Sequence, residues 1–282
     1  MTKTYLFIAG FTFLTFVTGT TYAQKSCCPK PSEMKELALR TDFKNAHLAP
    51  LPINYTPEHG EMISFPVEGG ADGNAFSIPS ENPTNRVLLV FHEWWGLNDY
   101  IKKEAEILQR SLGNVNVFAV DLYDGKSTAN PDSASMLMSG LDPKRGEAII
   151  KGLLKKIGKD YKISTIGWCM GGSWSFTATL LAGDNAVGCV MYYGFPEKNL
   201  GKIKTLKADV LYIYGARDKF IKRVDVDAFG KRISALGYEF TEKDFDADHA
   251  FANPSNPKYN KAAAGEAKSL SIGFLKKRLG IK

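Results

Sequence analysis

The residues best suited to chemistry in this 282-residue chain are Gly167-Trp168-Cys169-Met170-Gly171-Gly172, where a thiol stands between glycines directly after the apolar run Ile163-Ser164-Thr165-Ile166. A reactive side chain on a sharp strand-to-helix turn needs small residues on both sides, because strand and helix close on one another there. The usual serine of such an elbow is a cysteine here. A helix starting just after it points its positive N-terminal end at the sulfur and favours the thiolate. The same glycines do not make a phosphate loop, since no Gly-Lys-Ser/Thr follows them.

A thiol nucleophile needs a base, and the base needs a group that orients it. Of the four histidines, His47 and His59 fall in an irregular, proline-containing stretch and are expected at solvent-exposed positions. His92 ends an apolar run and competes with His249, which lies in Asp246-Ala247-Asp248-His249-Ala250-Phe251 just past another strand. In α/β hydrolases the chain order is nucleophile, acid, histidine. His249 satisfies that order and His92 does not. The acid then falls between Cys169 and His249. Asp218 follows the apolar strand Leu211-Tyr212-Ile213-Tyr214 and its glycine turn, on the sheet edge expected for Cys169; the competing reading makes it a helix cap. Asp225 and Asp227 read as first-turn residues of the next helix, and Asp246 and Asp248 as charges flanking the histidine. A cysteine alone is ordinarily a small packing residue, which is the expectation for Cys189 inside the run Val187 to Tyr193.

The elements that must position these groups follow from the hydrophobic period. Glu61 to Val67 and Asn74 to Ile78 alternate around a glycine-rich connector and predict an antiparallel hairpin. Further strands are expected at Arg86 to Phe91, Val115 to Val120, Lys162 to Ile166, Gly188 to Tyr193, Asp209 to Tyr214 and Glu239 to Phe245. Helices are expected at Asp99 to Leu112, Asp132 to Ile157 with a break near Asp142-Pro143, Gly172 to Leu181, Val224 to Leu236 and Tyr259 to Leu279. Strands alternating with helices predict an α/β fold with a mostly parallel sheet covered on both faces. Ligands bind such sheets at the carboxyl ends of the strands, which is where Cys169, Asp218 and His249 fall.

The N-terminus has Lys3, an apolar run from Tyr5 to Val17 and Thr21-Tyr22-Ala23, the layout of a secretory leader cleaved after Ala23. An exported, periplasmic or extracellular protein with no stable membrane span is expected. Residues 24–60 carry one helical candidate, Ser32 to Leu39, and then Pro50, Pro52 and Pro57; they read as an arm lying on the domain formed by residues 61–282. The adjacent Cys27 and Cys28 receive no function. The net charge of +6 comes from scattered lysines such as Lys102, Lys155, Lys204 and Lys276. No basic stripe interleaved with aromatics appears, which argues against a nucleic-acid partner.

The ordered set Gly167-Trp168-Cys169-Met170-Gly171-Gly172, Gly215-Ala216-Arg217-Asp218 and Asp248-His249-Ala250-Phe251 resembles the dienelactone hydrolase (carboxymethylenebutenolidase) family of α/β hydrolases. His92-Glu93-Trp94-Trp95-Gly96-Leu97-Asn98 and Asp121-Leu122-Tyr123 are similar to that family too, so the resemblance runs from about Glu61 to the C-terminus. It implies an α/β-hydrolase fold with an N-terminal antiparallel hairpin and a Cys169-His249-Asp218 triad. Glu93 would pair with the resting thiol and help release the thiolate. The backbone N–H groups of Met170 and Trp94 would form the oxyanion hole, and Trp95, Tyr123, Lys126, Trp168 and Phe251 would line the substrate site. Neither metal nor organic cofactor is implied; the partner is a small ester or lactone. Family members that cleave dienelactone hold its carboxylate with arginines, where this chain has Asp124-Gly125-Lys126 and Ala252-Asn253-Pro254. A bidentate arginine grip is therefore missing at both places. The competing reading is a non-catalytic binding or thiol redox-sensing protein on the same scaffold. A transferase or thioesterase would use the same groups.

Overall fold

Apolar runs with no polar alternation demand burial on both faces, and the computed structural model places four of them side by side at the centre of one sheet. The structure describes residues 1–2 and 31–282; the expected leader from residue 3 onward and the Cys27-Cys28 pair lie outside the described residues. The strands are β1 (Glu61–Phe65), β2 (Gly73–Ile78), β3 (Arg86–Phe91), β4 (Asn116–Asp121), β5 (Lys162–Trp168), β6 (Ala186–Tyr192), β7 (Asp209–Gly215) and β8 (Phe240–Phe245). They form one sheet in the order β1-β2-β4-β3-β5-β6-β7-β8. β1 and β2 make the expected hairpin, with Met62 opposite Phe76, and β2 runs antiparallel to β4. All other neighbours are parallel.

Nine α-helices are found among the described residues: α1 (Pro31–Leu39), α2 (Thr41–Ala46), α3 (Asp99–Leu112), α4 (Pro131–Gly140), α5 (Pro143–Ile157), α6 (Met170–Ala182), α7 (Leu200–Ile203), α8 (Arg223–Ser234) and α9 (Lys261–Leu279). No helix among those residues is long and apolar enough to cross a membrane. The expected break near Asp142 is real: the Asp142 side chain accepts the Lys144 N–H and Pro143 opens α5, so α4 and α5 are separate helices. Successive residues of β6 and β7 go to opposite faces. Val190, Tyr192, Leu211 and Ile213 join one apolar cluster, while Cys189, Met191, Val210 and Tyr212 join another with Phe176 and Phe229.

α1 and α2 lie on this body, with Leu37, Ala38 and Phe43 buried in the same cluster as β3 and β5. Ser135 of α4 donates to the Ala38 carbonyl at 2.6 Å, and Lys44 pairs with Asp132. Further along, the buried Glu106 carboxylate accepts the Glu58 and His59 N–H groups. The sequence stretch 24–60, where described, is thus tied down by backbone acceptors and buried side chains.

The β5-to-α6 junction shows why glycine is required there. A Cβ on Gly167 would stand 2.1 Å from the Gly171 carbonyl oxygen, and one on Gly171 would stand 2.4 Å from the carbonyl oxygens of Phe91 and His92. Backbone, not a flexible side chain, blocks each position. α6 therefore starts at Met170, before the expected Gly172, because the elbow turns within one residue. Gly167→Ala is expected to cost about 3 kcal/mol or more, read as a lowered midpoint in urea unfolding; a change below about 1 kcal/mol would show that the junction relaxes freely.

Candidate active site

The turn puts Cys169 at φ 55° and ψ −123°, a conformation in which an L side chain is strained and which persists only when its surroundings impose it. Here the Cys169 N–H donates to the Tyr192 carbonyl at 3.0 Å, and the Gly172 N–H donates to the Cys169 carbonyl at 2.9 Å. The sulfur sits at the start of α6 and is fully buried.

His249 lies in the loop after β8, with Nε2 3.4 Å from the Cys169 sulfur. On the far side of the ring, Nδ1 is 2.6 Å from Asp218 Oδ2. Asp218 follows β7 and both readings of it hold at once: Oδ1 accepts the Phe220 and Ile221 N–H groups at 2.7 and 3.0 Å, while Oδ2 faces the imidazole. Those bonds fix the carboxylate that fixes the ring. Burial works against a charged imidazole, but Asp218 and Cys169 outweigh it and hold His249 well above its ordinary value. Asp218 is lowered despite its burial, chiefly by His249. Burial pushes the Cys169 thiol up, against the pull of His249.

His92 has no free nitrogen. Its Nε2 accepts the Leu122 N–H at 3.2 Å, which leaves the proton on Nδ1 for the Glu93 carbonyl at 2.6 Å. Asp246 and Asp248 both pair with Arg217 on the surface, while Cys189 is buried beside Ser175.

Glu93 enters the site on the loop after β3, but its hydrogen bonds go elsewhere than the thiol. Tyr193 donates to its Oε1 at 3.2 Å, and Asn253 donates to Oε2. Burial raises the carboxyl from the ordinary 4.5 to about 7, opposed by His249, Tyr193 and Asn253. The Met170 N–H faces the thiol. Trp94 and Trp95 are buried with ring centroids 4.8 Å apart. Tyr123 donates to the Met170 sulfur at 3.0 Å. Trp168 borders a small cavity shared with Glu93, Tyr192 and Asn253. Phe251 is packed between Tyr193 and Phe245. Lys126 is exposed on the loop after β4.

The expectation that His47 is exposed is wrong. It is 2% exposed, with its ring 5.3 Å from that of His249 and 4.7 Å from that of Trp94. His47 directly follows α2 and its ring lies 4.1 Å from that of Phe43, so the two side chains enter the site together, where Phe43 also meets Phe220. Burial and the neighbouring His249 push His47 down to about 3. His59 is exposed as expected. The signal available for His47 is its closeness in sequence to Phe43, a large apolar side chain in an otherwise mostly polar stretch.

The model of the dienelactone hydrolase family matches residues 74–279. The chain belongs to that family. It is a carboxylic ester hydrolase on the α/β-hydrolase fold, as the resemblance implied. It is 28% identical over 231 residues to the protein Usf of Aquifex pyrophilus, covering 78% of this chain and 99% of that one. Its fold is similar to that of a dienelactone hydrolase-like promiscuous phosphotriesterase from metagenomic libraries, at 18% identity and a TM-score of 0.68 over 79% of this chain and 100% of the other. It is also similar to an esterase of Pyrococcus furiosus, at 17% identity and a TM-score of 0.61 over 83% and 98%. The family match begins after α1 and α2, so the arm lies outside it.

The raised Glu93 gives a pH test with a definite sign. Below about 4.5 the carboxyl is neutral in both folded and unfolded protein. Between about 4.5 and about 7 the unfolded chain loses the proton while the folded protein keeps it, so stability falls as pH rises and the penalty is complete above about 7. Glu93→Gln never ionises, and its stability relative to the native protein is expected to improve by up to about 3 kcal/mol between about pH 4 and about pH 8. Urea unfolding at both pH values checks this; a difference that does not move with pH would refute it.

Proposed function

We propose that the protein hydrolyses a small ester or lactone with Cys169 as nucleophile, His249 as proton carrier and Asp218 as the group that orients His249. The observation that carries this reading is the buried line Asp218 Oδ2, His249 Nδ1, His249 Nε2 and Cys169 Sγ, with distances of 2.6 and 3.4 Å. From the neutral form of His249, the thiol proton passes to Nε2 and the sulfur attacks the carbonyl carbon. The N–H groups of Met170 and Trp94 receive the charge that develops on oxygen. His249 returns the proton to the departing alkoxide, leaving an acyl-cysteine; from a lactone the alcohol stays attached to the acyl group. Water, deprotonated by His249, then attacks the thioester, and the sulfur leaves.

Glu93 sits where its charge raises the thiol, so a neutral Glu93 favours the thiolate and an ionised one opposes it. The cavity beside Glu93 and Trp168 supports an uncharged acyl group. Its lining is largely aromatic and aliphatic, and its lysine, Lys268, is already paired with Glu104 at 2.7 Å. Trp95, Tyr123 and Trp168 form the apolar side of this reading; Lys126 supplies at most a distant charge. A thiol sensor would need no oriented histidine behind the sulfur, which favours hydrolysis over that alternative. The leader-like residues 1–23 support export, with a mature chain starting at Gln24.

Turnover of p-nitrophenyl acetate is expected to fall by about 10³-fold or more in Cys169→Ala and in His249→Ala, and by about 10²-fold or more in Asp218→Asn. Acid-quenched enzyme should carry the acetyl group on the peptide containing Cys169. Activity surviving in Cys169→Ala, with the fold intact by circular dichroism, would overturn the assignment. Neutral esters should be preferred over anionic ones in a matched panel.

A further inference from the structure

His47 is brought into the active site by α2, and the triad leaves it without a task. Its Nδ1 lies 2.8 Å from the Phe43 carbonyl. That bond places the proton on Nδ1 and leaves a lone pair on Nε2, which is buried and has no hydrogen-bond partner. An unpaired buried acceptor is costly unless something occupies it. One ligand atom each of His47, Cys169 and His249 lies within 4.8 Å of the other two.

We propose that His47, Cys169 and His249 form a binding site for a zinc-class cation, with the arm supplying one of the three ligands. One thiolate and two imidazoles make a donor set suited to Zn²⁺. Bond lengths of about 2.3 Å to sulfur and about 2.0 Å to nitrogen put ligand atoms of a tetrahedron about 3.3 to 3.6 Å apart. His249 Nε2 and Cys169 Sγ already stand at 3.4 Å. His47 needs to close by at most about 1.5 Å, a shift available to a side chain at the end of a short helix. Each imidazole has its other nitrogen held, His249 by Asp218 and His47 by a carbonyl, as metal-bound histidines require for orientation. A cleft lined by Asp42, Asp248, Arg217, Lys219, Lys258 and His249 opens to solvent on the His249 side of this cluster.

Binding is a substitution with no redox change. The Cys169 S–H bond breaks and an S–Zn bond forms; the thiol proton, and any proton on His249 Nε2, passes to solvent. The cation then holds the electron pair that would attack an ester and ties α2 to the loop after β8. The consequence is reversible inhibition, which rests on Cys169 being the nucleophile; the metal site itself does not.

The test uses the full chain, reduced and freed of metal by a chelator. Cys27 and Cys28 are replaced by serine, so that they contribute no thiolate. Zinc chloride titrated into this protein in a calorimeter is expected to saturate at one ion per chain. Cobalt chloride should give the near-ultraviolet thiolate-to-cobalt band. His47→Gln, checked for an unchanged melting temperature, should weaken zinc by at least about 10-fold, and Cys169→Ser should abolish the cobalt band. Absence of saturable binding, or binding that ignores both substitutions, overturns the site. Hydrolysis is followed separately, and zinc should suppress it until chelator is added. A metal-free enzyme whose turnover survives Cys169→Ala instead overturns the nucleophile assignment, whatever the calorimeter shows.

Discussion

The site depends on a close contact between backbones. α6 presses its first turn against the end of β3 so tightly that Gly171 has carbonyl oxygens where a Cβ would go. That contact leaves β5 a single residue in which to reverse direction, and the residue is Cys169. Its positive φ is therefore a product of packing, stabilised by the two parallel strands that flank β5. The reversal lifts the sulfur to the carboxyl edge of the sheet and sets it over the first turn of α6. The loops after β3, β7 and β8 bring Glu93, Asp218 and His249 to the same edge because parallel strands all end there.

Burial at that edge sets the electrostatics. A thiol and a carboxyl without water are both pushed toward their neutral forms, as Cys169 and Glu93 are. The imidazole is pushed the same way by burial, but it alone faces an ionised partner whose charge is fixed by two backbone N–H groups. Asp218 can stay charged because those donors replace water, and its charge in turn favours the protonated form of His249. Glu93, held by a phenol and an amide instead of a cation, sits near neutrality and shifts its charge with small changes around it.

Much of this was legible in the sequence because it depends on local patterns. Glycine flanking a cysteine at a strand end, aspartate after a glycine turn and histidine after the last strand each report a loop whose place in a parallel sheet is dictated by topology. The helix break at Asp142-Pro143 is similarly local. What the sequence did not disclose are contacts between distant segments. Glu93 bonds to Tyr193 and Asn253, a hundred and more residues away, and nothing near Glu93 announces them. α6 starts two residues before the expected Gly172, since glycine lowers helix propensity while the close approach that requires it is tertiary.

His47 shows the same limit most plainly. Prolines and polar residues around it read as an exposed arm, and for most of that stretch they are right: Leu48 and Leu51 remain exposed. One turn of α2 is enough to reverse the outcome for two side chains. Phe43 supplies the apolar area that draws the turn onto Trp94 and Phe220, and His47, four residues on, is carried in with it. Burying an imidazole beside a second imidazole gains little in itself, and burial lowers His47 until it is neutral across the physiological range. Neutral, with one nitrogen tied to its own helix, it offers a lone pair to the sulfur's side of the cleft. The arm thus changes the composition of the sheet edge: without it the site is a thiol, a histidine and a carboxylate, and with it the site gains a second imidazole.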